Sequence, residues 1–417
     1  MLGASAASPQ GPSQKRVLGT FPTLAFLLPL RAVPTPDALP QNLRRFRDAR
    51  KLSQVEVAEK AQLSRIAYGN IESGTATPRA ETLVRIAAAL DVSLQELFTP
   101  VRVLKHVRFR QTKKMTSREQ LLASVARWLD DYAALEQLVD KPARFNPKLA
   151  AIVKHHAGTN QRASHAAADA RKALDLGDEE PVHNICGLLE DRCGVKVFPV
   201  PLASEGFWGL SVGPEDGGPA VVVNVWERIS VERWIFTAAH ELGHLLLHRG
   251  AYDVTRTEEN ESEETEANQF ASAFLMPPAA FDKAWERASG LGFVDRVFKV
   301  KRIFRVSYAT VLYRLSEQPA YGQSIWPRFA AAFKQQHGRS LSKREEISPL
   351  PAASFGRTGA PPAADPAELS ADDFREDRLY RLVRKAVDGS HITLGRAAEI
   401  LGLPLRDMRA LAARWVG

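Results

Sequence analysis

The spacing of apolar positions divides the chain into a helical first part and a mixed second part. Between residues 39 and 98, apolar residues recur every three or four positions, as on one face of a helix. Ser53 and Glu56 form a capping box that begins one helix, and Ser64 is a good N-cap for the next, at 65–72. Further helices are predicted around these, at 39–52, 80–90 and 93–98. This region is therefore predicted to be an all-α unit of five short helices.

Further along the chain, the pattern changes to short runs rich in β-branched residues. They lie at 194–201, 206–212 and 221–226, and glycines and prolines separate them, so a small sheet is expected. An uninterrupted run of mostly good helix formers follows at 233–248. A helix that follows a strand in this way is expected to pack on the sheet, which predicts an α+β unit.

The segments between and after these units are less regular. Residues 101–110 alternate apolar and basic side chains, which suits a strand or an extended arm with one cationic face. That face is equally compatible with a contact to DNA and with a solvated linker. Residues 115–139 and 146–176 are helical by period, whereas seven prolines at 319–371 predict a flexible linker. The C-terminal segment is helical again, and residues 393–411 are either a short helix-turn-helix or a docking pair of helices.

These patterns together predict a multidomain protein. A chain of 417 residues exceeds the size of one hydrophobic core, so two or three folded units are expected. The predicted boundaries are a disordered leader at 1–36, an all-α five-helix unit at 37–99, a basic arm and helical linker at 100–180, an α+β unit with a small sheet at 181–318, a linker at 319–371, and a short helical segment at 372–417.

Charge is distributed unevenly along the chain. The net charge is +8, and residues 101–118 include seven Lys or Arg without an acid, whereas residues 251–268 include seven acids and one Arg. A localised basic stretch favours a polyanionic partner such as nucleic acid. The acidic stretch is expected to be mostly a solvated loop.

Cysteine usage and apolar runs bear on where the protein resides. Cys186 and Cys193 are about 10 Å apart along a helix, too far for an unstrained disulfide, and reduced core cysteines are typical of a cytoplasmic protein. A basic pair and an apolar run at 17–30 resemble the start of a signal peptide, but Pro22 and Pro29 interrupt the run and no small-residue cleavage site follows. No other run is long and apolar enough to span a membrane. We therefore expect a disordered leader and a cytoplasmic protein.

One motif in the helix at 233–248 indicates metal chemistry. His240 and His244 are four residues apart, so their imidazoles project from one face of the helix and can share one metal ion. Glu241 is turned about 100° away from His240, so it can reach a water molecule at the site without being a ligand itself. Two histidines held by ordinary hydrogen bonds would give a similar pattern, but the Glu and the apolar flanks favour a zinc hydrolase.

A catalytic zinc ion usually has three protein ligands, so the two histidines leave one to be found. His248 lies about 12 Å along the helix axis from the first histidine, too far to share the ion, and is expected to orient a neighbour or to lie on the surface. The acidic stretch leads into an amphipathic helix, and Glu264 shares the inward face of that helix with Asn268. Glu264 is therefore the candidate third ligand, and Asn268 is positioned to brace a ligand. Two neighbouring acids remain alternatives for the ligand, Glu263 and Glu266.

Three stretches of the first unit carry a family pattern: LSQVEVAEKA at 52–61, SRIAYGNIESG at 64–74 and LVRIAAALDVSLQELF at 83–98. Together they closely resemble the Cro/repressor-type (XRE family) helix-turn-helix. The resemblance implies that the third helix enters the major groove of a double-stranded operator, and that a homodimer reads paired half-sites. It implies base contacts by three residues and phosphate contacts by two: Arg65, Ile66 and Asn70, then Gln54 and Ser64. Modules of this kind that only pair with other proteins are the alternative.

The second unit carries another family pattern, in the strand before the motif, in FTAAHELGH at 236–244 and in ETEANQFA at 264–271 closing in LMP at 275–277. This constellation resembles the ImmA/IrrE family of zinc-dependent regulatory peptidases (M78-like), over roughly residues 181 to 315. The resemblance implies a zincin-like α+β domain that binds Zn²⁺. Carried over to this chain, it implies three zinc ligands and one general base: His240, His244 and Glu264, with Glu241 as the base.

The two resemblances together imply a DNA-binding transcriptional regulator with a zinc-dependent endopeptidase domain. Peptidases of the family cleave repressors of the Cro type and so release stress, phage or mobile-element genes, which implies a repressor-type protein, or the chain itself, as the substrate. The alternative is a non-proteolytic repressor or antitoxin whose zinc domain senses a ligand or partner. The intact Glu241 favours the catalytic interpretation.

Overall fold

The computed structural model describes residues 38–415, apart from 51, 93, 99–101, 103, 112–117, 140, 143, 156–160, 205, 255–259, 342–368 and 376. The predicted leader at 1–36 lies outside the described residues. The chain forms two compact units, Met1–Pro100 and Val101–Gly417.

The first unit has the predicted five helices. They are α1 (Ala38–Ala49), α2 (Gln54–Lys60), α3 (Arg65–Glu72), α4 (Ala80–Ala89) and α5 (Leu94–Phe98). Their inward faces form one apolar core, in which Leu43, Phe46, Tyr68, Ile86 and Leu97 are fully or almost fully buried. The all-α prediction for this region is confirmed.

Local capping explains where α2 and α3 begin. The Ser53 hydroxyl accepts the amide of Glu56 at 3.2 Å, and the Glu56 carboxylate accepts the amide of Ser53 at 2.7 Å. Ser64 accepts the amide of Ala67 at 3.1 Å. Both caps satisfy backbone donors that a helix N-terminus would otherwise leave without a partner, so the predicted helix starts are confirmed.

The second unit contains a sheet and helices on both of its faces. Its elements are, in chain order, β1 (Val107–Gln111), α6 (Arg118–Leu138), α7 (Pro147–His155), α8 (Arg162–Ala173), α9 (Ile185–Gly187) continued by a π-helix (Leu188–Cys193), β2 (Lys196–Val200), β3 (Phe207–Val212), β4 (Ala220–Asn224), α10 (Val231–Leu247), α11 (Glu261–Leu275), α12 (Pro278–Arg287), α13 (Phe293–Phe304), α14 (Tyr308–Ser316), α15 (Ile325–His337), α16 (Arg378–Asp388), α17 (Leu394–Leu401) and α18 (Leu405–Trp415).

The sheet has four strands in the order β1-β3-β4-β2. β1 and β4 each run antiparallel to β3, and β2 runs parallel to β4. Three of these strands are those predicted between residues 194 and 226. The fourth, β1, comes from the alternating basic segment, which therefore forms an integral edge of the sheet.

Alternate residues of the strands enter two different cores. Val221 and Val223 pack in the apolar core with α10 and α11, whereas Leu210 and Val222 pack in a second core with α6 and the C-terminal helices. Because successive side chains of a strand point to opposite faces, this alternation assigns one face of the sheet to each core.

The helix α10 lies against both the sheet and α11. It contacts β3 and β4 on one side and α11 on another. A Cβ atom on Gly243 would come within 3.0 Å of the Phe270 ring, so glycine at this position permits the close approach of α10 and α11. The residues Ala267, Phe270 and Phe274 form the inward face of α11, and all are fully buried.

The structure corrects the interpretation of residues 319–371 as a flexible linker. Within this stretch α15 is a helix of thirteen residues, and Ile325, Phe329 and Phe333 on one of its faces are buried in the core of the unit. Pro327 lies in the first turn, where the missing amide hydrogen costs no helical hydrogen bond. The number of prolines therefore led to a wrong prediction for residues 325–337, where Pro327 is compatible with a helix. Residues 342–368 of the predicted linker lie outside the described part of the chain.

The C-terminal helices dock on α6. Leu382, Val383 and Met408 are buried in the second core, and Arg378 forms an ion pair with the buried Glu136 at 2.9 Å. These contacts support the docking interpretation of this segment.

Cys186 and Cys193 are buried and are not joined in a disulfide. Burial raises the pKa of the Cys193 thiol to about 12, so the thiol stays protonated. Among the helices of the described residues, none has both the length and the apolar character needed to cross a membrane.

Candidate metal centre and DNA-reading helix

Two histidines meet on one face of α10. The Nε2 atoms of His240 and His244 are 2.9 Å apart, and both side chains are almost completely buried. The i to i+4 spacing on a regular helix produces this convergence.

Glu264, in the first turns of α11, completes a group of three donors. Its Oε1 lies 3.1 Å from Nε2 of His244, and its Oε2 lies 3.3 Å from Nε2 of His240. Among the described residues, this trio is the one group of potential ligands whose donor atoms all lie within 4.8 Å of one another. Tetrahedral zinc ligands at about 2.0 Å from the ion have donor atoms about 3.3 Å apart, so the spacing and the chemistry of these donors fit zinc.

The neighbouring acids have other partners. Glu263 pairs with Arg108, and Glu266 contacts Nε2 of His248 at 2.9 Å. Of the three acids that the sequence leaves as candidates, the structure brings Glu264 to the histidines.

The electrostatic environment favours the protonation states that bind a cation. Burial lowers the pKa of His244 well below its ordinary value. Burial by itself would raise the pKa of the Glu264 carboxyl, but hydrogen bonds with His240 and His244 outweigh it and hold that pKa well below its ordinary value. A neutral imidazole and an ionised carboxylate are the forms in which these side chains coordinate metal ions.

The other ring nitrogens of the two histidines are held by neighbours. Nδ1 of His240 lies 3.0 Å from Oδ1 of Asn268, and Nδ1 of His244 lies 2.9 Å from Nδ1 of His248. These contacts orient each ring so that its Nε2 faces the centre of the site. Of the two roles expected for His248, the structure shows the orienting one, and the side chain is buried.

The carboxylate of Glu241 is held from β3. Its Oε2 accepts a hydrogen bond from the Ser211 hydroxyl at 2.8 Å, and the Tyr252 hydroxyl donates to the same Ser211 oxygen at 2.9 Å. Burial raises the pKa of Tyr252 far above its ordinary value, so this phenol remains a donor. The sequence did not predict the roles of Ser211 and Tyr252, because the motif on α10 does not indicate which residues of other segments lie next to Glu241.

Arg108 of β1 is a third residue whose role the sequence did not predict. Its guanidinium contacts the carboxylates of Glu263 and Glu264, the latter at 3.2 Å, and its side chain is 11% exposed. For this residue, the interpretation as a solvated linker face is wrong, because the side chain is mostly buried and pairs with two carboxylates. The alternation of basic and apolar residues was the available signal, and it predicted the strand but not the partners.

The residues predicted to read DNA lie mostly on the surface of α3. Arg65, Ile66 and Asn70 are exposed, and Ile66 is 73% exposed, which is high for an apolar side chain. Ser64 is exposed as the N-cap of α3. Gln54 is half-buried instead, and its side-chain amide donates to the buried carboxylate of Glu72 at 3.2 Å.

Comparison with protein families finds a match within each of the two units. Residues 190–316 match the IrrE N-terminal-like domain of the peptidase M78 family. Residues 43–97 match a helix-turn-helix family model. None of the curated proteins compared with the chain matches it. The chain thus joins an N-terminal helix-turn-helix domain of the XRE type to an IrrE-like M78 domain.

Proposed function

We propose that this fusion of a helix-turn-helix domain and an IrrE-like domain is a transcriptional regulator that is also a zinc-dependent endopeptidase. One observation carries the enzymatic part: the donor atoms of His240, His244 and Glu264 converge at one point, and Glu241 lies on the same helix as the two histidines. A buried, oriented donor set of this kind is typical of catalytic zinc sites.

The residues of this chain divide the chemistry among them. Zinc held by His240, His244 and Glu264 would supply Lewis-acid polarisation of the scissile carbonyl and would lower the pKa of a water molecule. Glu241 is the general base, which takes a proton from the attacking water and delivers it to the leaving amine. Ser211 orients the Glu241 carboxylate through its hydrogen bond of 2.8 Å.

In the first unit, α3 is the DNA-reading helix. Its exposed residues Arg65, Ile66 and Asn70 supply a forked donor, an apolar contact and an amide, which are the groups that read base edges in the major groove. Ser64 and Gln54 lie beside it for contacts with phosphate. We infer a homodimer on paired half-sites and a cytoplasmic location, where the operator would be accessible.

We further infer that the substrate is a repressor-type protein, or this chain itself, and that its cleavage controls stress, phage or mobile-element genes. A peptidase attached to a DNA-binding domain is concentrated near other DNA-bound proteins, and this local concentration supports such a substrate class.

The test compares the wild type with Glu241→Gln. Both proteins, loaded with zinc, are incubated alone and with candidate repressors, and fragments are identified by mass spectrometry. We expect fragments with the wild type and none with Glu241→Gln, whose zinc content should equal that of the wild type because Glu241 is not a ligand. Intact proteins under every condition, with operator binding retained, would favour a non-proteolytic regulator.

A further inference from the structure

The edge of the sheet beside the candidate metal centre is covered by a strand from outside the IrrE-like domain. β3 pairs with β4 along one edge and with β1 along the other. β1 lies at Val107–Gln111, far before the family match at 190–316. The outer edge of β3 is therefore occupied by a distant part of the same chain.

The register of β1 directs one arginine at the site. Arg108 lies opposite Ser211 in the antiparallel pair, and Val107 lies opposite Val212. Directly opposed residues project from the same face of a sheet. Ser211 holds Glu241, whereas Val107 and Val212 are buried in the core on the other face. Arg108 therefore projects towards α10 and α11, and its guanidinium contacts Glu263 and Glu264.

Both features matter for a peptidase. An extended peptide binds a sheet by adding a strand to an edge, and the edge next to Glu241 is that of β3. Such a peptide and β1 cannot occupy this edge together. The guanidinium of Arg108 also holds the carboxylate that is the candidate third zinc ligand, and two cations compete for one carboxylate.

We propose that β1 is an internal strap that occupies the peptide-binding edge of β3 and engages Glu264 through Arg108, so that the site opens when β1 leaves. The effect of this opening on peptide cleavage rests on the proposed function. The pairing of β1 with the edge of β3 and the contact of Arg108 with Glu264 do not depend on it. The substrate that replaces β1 is an extended peptide segment.

The contacts around β1 explain how it is held. Before the strand, the carboxylate of Asp216 accepts the backbone amides of Lys105 and His106, and the carbonyl of Lys105 accepts the amide of Val254 at 2.8 Å. The strand itself has five residues, and its pairing with β3 becomes irregular at its last residues. The anchors retain the preceding segment, whereas β1 is an edge strand that pairs only with β3, so it can leave without breaking the pairing of the other three strands.

The first test measures zinc affinity, which requires no catalysis. In the full chain, Arg108→Ala should raise the affinity for zinc by about tenfold, because a charge-assisted hydrogen bond that engages Glu264 is removed. Competition with a chromogenic chelator measures this affinity. The matched control is Arg102→Ala, which removes an arginine of the same segment that pairs with Asp130 at 2.7 Å. An unchanged affinity would refute competition at Glu264, and a weaker one would make Arg108 a positioning residue and overturn the strap.

The second test locks the strand. Val107→Cys with Val212→Cys places two cysteines opposite each other on the face away from the site. Arg108→Ala is added to this double variant, and a fluorescent peptide with the sequence of residues 104–111 is used as the probe. When the disulfide is reduced, the peptide should bind the edge of β3 at micromolar concentration. After oxidation, we expect binding to weaken at least about tenfold, since the internal strand then cannot leave. Equal binding in both states would overturn the proposal.

The two proposals can fail separately. If zinc tightens and the peptide binds as expected, but no protein is ever cleaved, the strap stands and the endopeptidase does not. If cleavage by the wild type is normal and oxidation of the lock leaves it unchanged, the endopeptidase stands and the strap does not.

Discussion

The helix-turn-helix unit and the metal centre place their functional residues in opposite environments. In α3, the predicted base-reading residues are exposed on one eight-residue helix, and Ile66 is 73% exposed. At the metal centre, His240 and His244 are almost completely buried, and their partners come from α11 and from the end of α10. Residues of β3 and β1 hold the neighbouring carboxylates of Glu241 and Glu264. The DNA-reading residues therefore form a surface on the small core of the first unit, whereas the histidines of the metal centre lie in the interior of the second unit.

Because of this difference, substitutions in the two sites should change different properties of the protein. An exposed side chain on α3 has few partners in its own unit, so its removal should alter binding and leave folding intact. A buried residue of the metal centre orients another residue, which in turn faces the ion, so its removal should change metal affinity even when it is not a ligand.

The largest effect is expected for His244→Ala. Zinc affinity should fall by about a thousandfold or more, because the site loses one of three protein ligands. Chelator competition measures this change, and His183→Ala, an exposed histidine of the same unit, is the control. Operator binding should stay within about twofold of the wild type if the two functions are separable. A parallel loss of zinc and operator binding would show that the two units depend on each other.

The next effect is expected on the exposed side. Arg65→Ala should weaken binding to an operator selected with the wild type by about 1–3 kcal/mol, and random duplex should be affected much less, because a base contact is lost. Fluorescence anisotropy at fixed salt measures both affinities. The control Lys60→Ala removes an equal charge from the exposed end of α2. Equal losses on operator and random duplex with Arg65→Ala would refute base reading.

A smaller effect is expected for His248→Ala. Nδ1 of this histidine contacts Nδ1 of His244 and orients its ring. Its removal should lower the affinity for zinc about tenfold, which is at the lower end of the range for residues that orient metal ligands. Asn268→Ala makes the matched change behind His240. Zinc affinity that stays at the wild-type value in His248→Ala would show that the orientation of His244 does not depend on it.

The smallest effect is expected for Ser53→Ala. Loss of the N-cap of α2 should lower the free energy of unfolding of the first unit by about 1 kcal/mol, measured by hydrogen exchange of amides in residues 38–98. The control is Ser73→Ala, which changes the C-cap residue of α3 and leaves the capping box of α2 intact. Zinc affinity should not change. A loss well above this size would mean that Ser53 does more than cap the helix.

The parts of the fold that the sequence predicted are those set by local interactions. The capping box at Ser53 and Glu56 depends on residues three positions apart, and the convergence of His240 and His244 depends on one turn of helix. Helix α15 was missed for the opposite reason, since its stability comes from burial of Phe329 and Phe333 against distant residues and not from its proline-containing sequence.

The sequence alone therefore determined the helix-turn-helix unit, the histidine pair on α10 and the acidic helix that supplies Glu264, because helical periodicity and capping act over a few residues. Tertiary structure decided which acid meets the histidines, which serine holds Glu241, and that Arg108 reaches Glu264 from 156 residues away. These contacts follow from the pairing of β1 with β3 and the packing of α10 against α11. Pairing and packing of segments so far apart depend on how the whole unit folds, and no short stretch of sequence encodes them.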